Sequence, residues 1–467
     1  MLISEDDNLH EECGVFAIYA PGQDVSRLTY YGLFALQHRG QEGCGIAVSD
    51  EEGIKHYKGL GLVTEVFSER ELDTLKGHAA IGHVRYSTTG CNSLTNTQPI
   101  VANYNLGEIA LAHNGNLANT ENLRKYLTKK GSVFHTSVDT EVVVHMLAQY
   151  TDLPLEQAFV KSMGDIKGSY AFVALNKNKL YAARDPYGNR PLCLGKYKNG
   201  YVVASESCAL STIDATFIRD IEAGEVLVID ETGVTSFMTE IDPKPQKAHC
   251  IFEYVYFARP DSNLDGINVN LSRRRMGEIL ADELEKLDVD IVIPVPDSGT
   301  TAAIGFASVQ DIKFTQGILK NRYAGRTFIQ PTQEMRELMV NLKLNPIRDE
   351  IEGKRVAVVD DSIVRGTTSK RLIERLRQRG AKEVHMLITC PPVKYPCFYG
   401  IDTGNRDTLI AATKSTEEIR EYIGADSLNY LSLPGLLKAV GNKENFCTAC
   451  LDGRYRMGVP SDYEAEK

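Results

Sequence analysis

Residues 358–369 read Val-Val-Asp-Asp-Ser-Ile-Val-Arg-Gly-Thr-Thr-Ser, and the pattern of that stretch sets the architecture around it. The run Arg355–Val359 leading in has strand character. The acidic pair Asp360-Asp361 closes it, and Gly366-Thr367-Thr368-Ser369 opens a helix whose periodicity carries from about Thr367 to Arg379. A further strand is expected near Val384–Thr389. Upstream, Ile291–Pro296 runs into Asp297-Ser298-Gly299-Thr300 and an alanine-rich helix. Strands alternating with helices in this way write a parallel α/β sheet. Two adjacent carboxylates at the carboxyl end of a strand suit the vicinal hydroxyls of a sugar, directly or through Mg²⁺. Gly366 and the hydroxyls and amides of the next three residues suit a phosphate at a helix N-terminus. A solvated acidic turn followed by a helix cap is the plainer reading, but an acidic pair joined to a basic Gly-Thr-Thr turn is far more specific than a lone glycine loop.

The pattern changes on the other side of residues 240–250, where IDPKPQK reads as a polar, proline-bearing connector. Short alternating runs before it, Tyr170–Leu175, Lys179–Ala183, Tyr201–Ala204 and Glu225–Ile229, are broken by Gly, Pro and Asn turns and predict a domain rich in antiparallel sheet. Near the start, Cys13-Gly14-Val15-Phe16-Ala17-Ile18-Tyr19 reads as a strand behind an acidic leader. If the Glu12–Cys13 bond is cut, Cys13 carries both a thiol and an α-amino group. That amine titrates near about 8, so it can take the thiol's proton close to neutral pH. The alternative is an inert strand cysteine.

Composition narrows the field. The 467 residues, 43% of them hydrophobic, suffice for at least two cores. The 52 Lys and Arg against 62 Asp and Glu leave a net charge of −10 and no general nucleic-acid footprint, so phosphate-bearing ligands must be held locally. No apolar run approaches the ~18 residues of a membrane span, and the leader MLISEDDNLHEE has five acids and no basic segment. A cytoplasmic protein with neither nucleic-acid nor membrane partners is expected. Its ten cysteines then point away from a disulfide framework and toward metal or catalytic roles.

Five ordered segments, 10–19 (HEECGVFAIY), 36–46 (LQHRGQEGCGI), 82–90 (GHVRYSTTG), 112–117 (AHNGNL) and 137–141 (SVDTE), resemble the glutaminase domain of N-terminal-nucleophile glutamine amidotransferases. The resemblance implies an αββα sandwich in which Cys13 attacks the glutamine amide. It makes Asn114 and the amide of Gly115 the oxyanion hole, and gives Arg85 and Asp139 to the substrate's α-carboxylate and α-amino group. Taken alone, Asn114-Gly115 reads as a hairpin turn, Arg85 as a strand-end charge and Asp139 as a first-turn helix carboxylate.

Residues 358–369 in turn resemble the phosphoribosyl pyrophosphate (PRPP) motif of type I phosphoribosyltransferases, an α/β fold with a parallel sheet. The resemblance places PRPP on Asp360, Asp361, Ser362, Arg365, Gly366, Thr367, Thr368 and Ser369. Pro296–Thr301 is similar to the family's pyrophosphate turn, where Ser298 joins Asp360 and Asp361 around Mg²⁺. The basic loop Lys320–Ile329 would close over PRPP, with Lys320 and Arg322 as its phosphate contacts.

Cys447-Thr448-Ala449-Cys450 has metal-ligand spacing, and Cys250 and Cys397 could add two thiolates. Spacing alone leaves a zinc site, an iron–sulfur cluster and unligated thiols open. The whole chain resembles the glutamine PRPP amidotransferases, one group of which combines a cleaved acidic propeptide with a [4Fe–4S] cluster. This implies a propeptide at 1–12, a glutaminase domain at 13–240, and a phosphoribosyltransferase domain at 250–467 with one cluster per subunit. It also implies a homotetramer and feedback by purine nucleotides. The implied reaction converts glutamine, PRPP and water to 5-phosphoribosylamine, diphosphate and glutamate, the opening step of de novo purine synthesis.

Two other classes fit the sequence less well. A PRPP-sensing regulator has no use for a complete glutaminase set, and a glucosamine-6-phosphate synthase needs a sugar isomerase in place of the acidic loop. Cys44, Cys91, Cys193, Cys208 and Cys390 read as structural. Two departures from the family pattern stand out: Cys91 where a small residue is expected, and the charged composition of 451–456 beside the last cysteine pair.

Overall fold

The computed structural model describes residues 13–86, 93–105, 107–239, 241, 244–321, 344–441, 444–460 and 463. The leader, Cys91, Arg322 and most of the loop expected around 320–345 lie outside the described residues.

The N-terminal half stacks two sheets. One has seven strands in the order Thr216–Asp220, Cys193–Tyr197, Gly200–Ala204, Gly14–Tyr19, Ala79–Arg85, Gly43–Ser49 and Ile54–Leu60, with antiparallel pairing throughout. The other has six, built around the long strand Gly107–Leu117 and its partner Gly168–Leu175. Strand Gly14–Tyr19 is buried on both faces. Val15 and Ala17 meet Ala110, Ala112, Ala171 and Val173 between the sheets. Phe16 and Ile18 pack with Val25 and Leu33 of the helix Val25–Ala35. Small residues at the facing positions let the sheets approach closely. Helices Thr140–Leu147 and Leu155–Asp165 cover the outer face of the second sheet. The layers are helix, sheet, sheet, helix, as the family resemblance implies.

The C-terminal half holds four parallel strands in the order Ile291–Pro294, Arg355–Asp360, Glu383–Ile388 and Ser427–Tyr430. Helices Val269–Asp282 and Gly299–Gln310 pack on one face, and Thr367–Gln378 and Thr416–Ile423 on the other. The expected helix and strands appear within a residue or so of their sequence-derived bounds. A two-residue parallel ladder, His249–Cys250 against Phe446–Cys447, joins the start of this half to its end.

Candidate active sites

Cys13 lies at the mouth of the first sheet, where its strand meets Ala79–Arg85. Its thiol donates to the Tyr86 carbonyl at 3.3 Å and accepts the Tyr86 N–H at 3.4 Å. Burial pushes the thiol up to about 11, although the Tyr86 contact and the charge of Arg85 pull the other way. A thiol so placed is not a nucleophile at neutral pH unless a base is delivered to it.

Asn114 and Gly115 do not form a hairpin turn. They sit inside strand Gly107–Leu117, opposite Ala171 and Tyr170. Gly115 has φ of +139°, and a Cβ there would stand 2.3 Å from the Ser169 carbonyl, so glycine is required both by conformation and by space. Asn114 is fully buried, and its Nδ2 donates to Ser205 Oγ at 3.3 Å. The same hydroxyl accepts the Val15 N–H at 3.0 Å, so one serine ties the strand that follows Cys13 to Asn114.

Asp139 stands at the N-cap of helix Thr140–Leu147, and its Oδ1 accepts the Thr140 hydroxyl at 3.3 Å. Its Oδ2 accepts the Leu117 N–H at 3.0 Å, and Oδ1 lies 3.3 Å from His113 Nδ1. Burial raises this carboxyl, but His113 and the hydrogen bonds outweigh burial and hold it below the usual carboxylate range. Arg85 is buried at the end of its strand beside Gly43. The structure thus draws Cys13, Arg85, Asn114, Gly115 and Asp139 together.

Sequence reasoning missed several neighbours. Arg39 Nε donates to the Cys13 carbonyl at 3.2 Å, and its guanidinium bridges the buried Glu206 and Glu253, each at 2.6 Å. His113 is fixed through its N–H to Gln98 (2.7 Å) and through its carbonyl, 3.1 Å from His83 Nε2. Arg39 and His113 do lie inside the quoted segments LQHRGQ and AHNGNL. Ser205 and Glu253 carry no local signal.

In the second half, Asp360 ends its strand and Asp361 follows. The Asp361 carboxylate accepts Ser298 Oγ at 2.5 Å and Ser362 Oγ at 2.6 Å. Burial pushes both carboxyls up, and the charge of Asp361 adds to the effect on Asp360. Gly366, in the left-handed region at φ of +82°, precedes helix Thr367–Gln378 and so places Thr367, Thr368 and Ser369 in its first turn. Gly299 brings the turn bearing Ser298 against the Val359 carbonyl, where a Cβ would stand 2.4 Å away. Lys320 pairs with Asp297 at 2.8 Å. The two loops expected to share PRPP are therefore adjacent, joined by the Ser298–Asp361 hydrogen bond.

Cys250 and Cys447 stand directly opposite in their ladder. Lys394 and Tyr395 donate their N–H groups to the Cys450 carbonyl, which docks the segment carrying Cys397 on the same spot. Burial pushes Cys250 and Cys447 up to about 12, and the neighbouring thiols add to it. All four are free thiols. Among the described residues, no group of three His, Cys, Asp or Glu side chains is arranged to hold a single metal ion. After Cys450, Gly453 ends the helix Ala449–Asp452 at φ of +76°, and Tyr455 donates to the Pro396 carbonyl at 2.7 Å. Cys44, Cys193, Cys208 and Cys390 are buried in the cores, as expected.

A profile described as a glutamine amidotransferase domain matches residues 83–212, and one described as a phosphoribosyl transferase domain matches 270–396. The amidophosphoribosyltransferase of Bacillus subtilis is 47% identical over 99% of this chain and 97% of its own length. The chain belongs to the amidophosphoribosyltransferase family. A similar relative in Methanocaldococcus jannaschii is 47% identical over 97% of this chain and 99% of its own, and a chloroplastic one in Arabidopsis thaliana is 50% identical over 97% and 80%. The structure of the Bacillus subtilis glutamine PRPP amidotransferase complexed with ADP and GMP superposes with a TM-score of 0.91 at 47% identity, covering 96% of this chain and 98% of that one. As a member of the amidophosphoribosyltransferase family, the chain is a pentosyltransferase with a glutamine amidotransferase domain, and it catalyses the first step of purine biosynthesis. Among the described residues no helix is long and apolar enough to cross a membrane.

Proposed function

We propose that the two sites divide the reaction as follows. The α-amino group freed by cutting after Glu12 takes the Cys13 proton, and the thiolate attacks the glutamine side-chain amide. Asn114 Nδ2 and the Gly115 N–H receive the negative oxygen of the tetrahedral intermediate, each such donor contributing about 3–4 kcal/mol. Arg85 and Asp139 hold the α-carboxylate and α-amino group. The α-ammonium returns that proton to the departing nitrogen as the C–N bond breaks, releasing ammonia and leaving a Cys13 thioester, which water hydrolyses to glutamate and the free thiol. In the second half, ammonia attacks C1 of PRPP and diphosphate leaves. Asp360 and Asp361 hold the ribose hydroxyls, while Ser362, Arg365 and Gly366–Ser369 hold the 5-phosphate. The turn at Ser298 receives the pyrophosphate, with Lys320 and Arg322 closing over it. The division of the chain at 13–240 and 250–467 belongs to this reading.

The oxygen-only donor set of Ser298, Asp360 and Asp361 fits Mg²⁺, which supplies charge neutralisation for the departing diphosphate. Burial pushes both adjacent carboxyls up, and a bound divalent cation would favour their charged forms. Cys250, Cys397, Cys447 and Cys450 fit a [4Fe–4S] cluster. They converge from three parts of the chain without forming disulfides. Purine nucleotides as feedback ligands follow from the ADP and GMP of the Bacillus subtilis complex. A homotetramer in the cytoplasm completes the reading.

The observation that carries the proposal is the convergence of Cys13, Asn114, Gly115 and Asp139 at one end of the sandwich in a chain that also carries the Asp360-Asp361 loop. Anaerobically purified protein incubated with glutamine, PRPP and Mg²⁺ should release diphosphate and glutamate in equal amounts. Glutamate release with no diphosphate would reject the coupling of the two halves.

A further inference from the structure

Asn114 and Ser205 form a buried pair with one donor and one acceptor left over. Ser205 follows strand Gly200–Ala204 and is fully buried. Its backbone N–H donates to the Val15 carbonyl at 3.0 Å and its Oγ accepts the Val15 N–H at 3.0 Å, so the hydroxyl is fixed against the strand that follows Cys13. With the Asn114 amide in the orientation given above, Nδ2 donates to that same oxygen at 3.3 Å. The hydroxyl then receives two N–H groups, and among the described residues its own hydrogen has no acceptor. Asn114 Oδ1, on the other side of the amide, is buried without a partner. Stranding a donor and an acceptor within one pair of side chains is costly in a dry interior. A half-turn of the carboxamide satisfies both, because its oxygen and nitrogen are nearly isosteric. Ser205 Oγ–H then donates to Asn114 Oδ1 while still accepting the Val15 N–H, and Nδ2 keeps both hydrogens.

We propose that Ser205 is the positioning residue that orients the Asn114 amide, holding Oδ1 to itself so that Nδ2 is left for the oxyanion. The inference rests on the reading of Asn114 as an oxyanion donor. Bond direction along Val15, Ser205 and Asn114 is set from one end. A backbone amide can only donate, so the serine oxygen accepts there and has its hydrogen left to give, and Asn114 Oδ1 is the buried acceptor left without one. An unguided asparagine would present its oxygen as readily as its nitrogen, and a carbonyl oxygen repels a developing negative charge. The mounting is rigid on both sides: Ser205 comes directly after Ala204, which pairs with Phe16, and Asn114 lies inside its strand opposite Ala171. Donors fixed in advance need no reorganisation when the charge appears. A hydroxyl acting only through Asn114 is therefore felt in the transition state, where the oxyanion exists, and not in the binding of glutamine.

A double-mutant cycle on the anaerobically purified, full-length enzyme tests it. Ser205→Ala should lower kcat for glutamine hydrolysis about tenfold, the weight of one hydrogen bond, and leave KM for glutamine within about twofold. Made on top of Asn114→Ala, the same change should cost less than about twofold, because the amide it orients is gone. Ser205→Cys, whose thiol fills the space but is a weak donor, should show the same pattern if the alanine variant folds poorly. Alkylation of Cys13 by iodoacetamide, followed by mass spectrometry, is a displacement that forms no tetrahedral oxyanion, so its rate in the Ser205 variants should match the parent. A parent-like kcat in both Ser205 variants, or losses that multiply in the double variant, overturns the proposal. So does an alkylation rate that falls as far as kcat, which marks displacement of the strand after Cys13 rather than of the amide. A parent-like glutamine kcat in Asn114→Ala overturns instead the oxyanion reading beneath it.

Discussion

Asp139→Asn offers the sharpest test of the glutaminase site, because it removes one charge and almost no volume. Asp139 is 5% exposed, and its carboxylate already accepts the Leu117 N–H and contacts His113. An asparagine can keep the Leu117 bond through its own oxygen, so the helix start and the strand end stay joined. What is lost is the negative charge that would meet the ammonium group of glutamine in a buried site. Removing one partner of such a pair costs about 2–5 kcal/mol, which is roughly thirtyfold to several thousandfold in kcat/KM for glutamine. The loss should fall mainly on KM if the contact is equally strong in ground and transition states. Diphosphate release driven by saturating ammonium chloride should remain within about twofold, since Asp360 and Asp361 are untouched. A glutamine kcat/KM within threefold of the parent would refute the assignment. A parallel loss with ammonia would show that Asp139 matters to the fold rather than to the substrate.

Four further outcomes are expected. The active chain should begin at Cys13, and Cys13→Ala should abolish glutamine-dependent synthesis while sparing the ammonia-dependent reaction; mass spectrometry finding residues 1–12 on active enzyme rejects the built-in base. Asp360→Asn combined with Asp361→Asn should abolish synthesis from both nitrogen sources yet leave basal glutamine hydrolysis, and near-normal ammonia-dependent diphosphate release would falsify the assignment. Anaerobically prepared protein should be brown and lose iron and sulfide in air, and Cys447→Ser should fold poorly because binding of the group contributes to folding; stoichiometric zinc without sulfide overturns this. Finally, burial raises Glu206, but His38 and Arg39 outweigh it and hold the carboxyl far below its unfolded value. Its stabilisation is then fully present above the unfolded pKa of about 4 and lost as pH falls toward the folded one. The Tm gap between the parent and Glu206→Gln should therefore be large at pH 7 and shrink below pH 4; a gap that does not change with pH contradicts the charge network.

The acidic loop was legible because each of its demands is local: a strand end, two carboxylates, a left-handed glycine and a helix start all fall within a dozen residues. Asp139 was legible as a carboxylate at a helix start, but not as one that also reaches Leu117 and His113 on the neighbouring strand. Asn114-Gly115 shows where local reading misleads. The pair has the chemistry of a hairpin, yet the glycine is demanded by the approach of Ser169 on the neighbouring strand, a contact 54 residues away that no window sees. Ser205, Glu206 and Glu253 escaped for the same reason. Their partners Asn114, Arg39 and Val15 lie more than ninety residues off, and only the sheet order brings them together.

The ladder between His249–Cys250 and Phe446–Cys447 also has a consequence for how the chain is made. Two neighbours in space are separated by roughly two hundred residues of chain, a loop whose closure entropy grows only as the logarithm of its length but cannot be recovered before its far end exists. During synthesis the sandwich carrying Cys13 can leave the ribosome and pack by itself, since both of its sheets are complete by Met238. Cys250 emerges soon afterwards and then waits, exposed beside an unfinished wall, until Cys447 and Cys450 follow at the very end. The half that handles glutamine is thus built first and the ladder that closes the second half last, so a ribosome stalled before Cys447 leaves a folded first half tethered to a second half that cannot close.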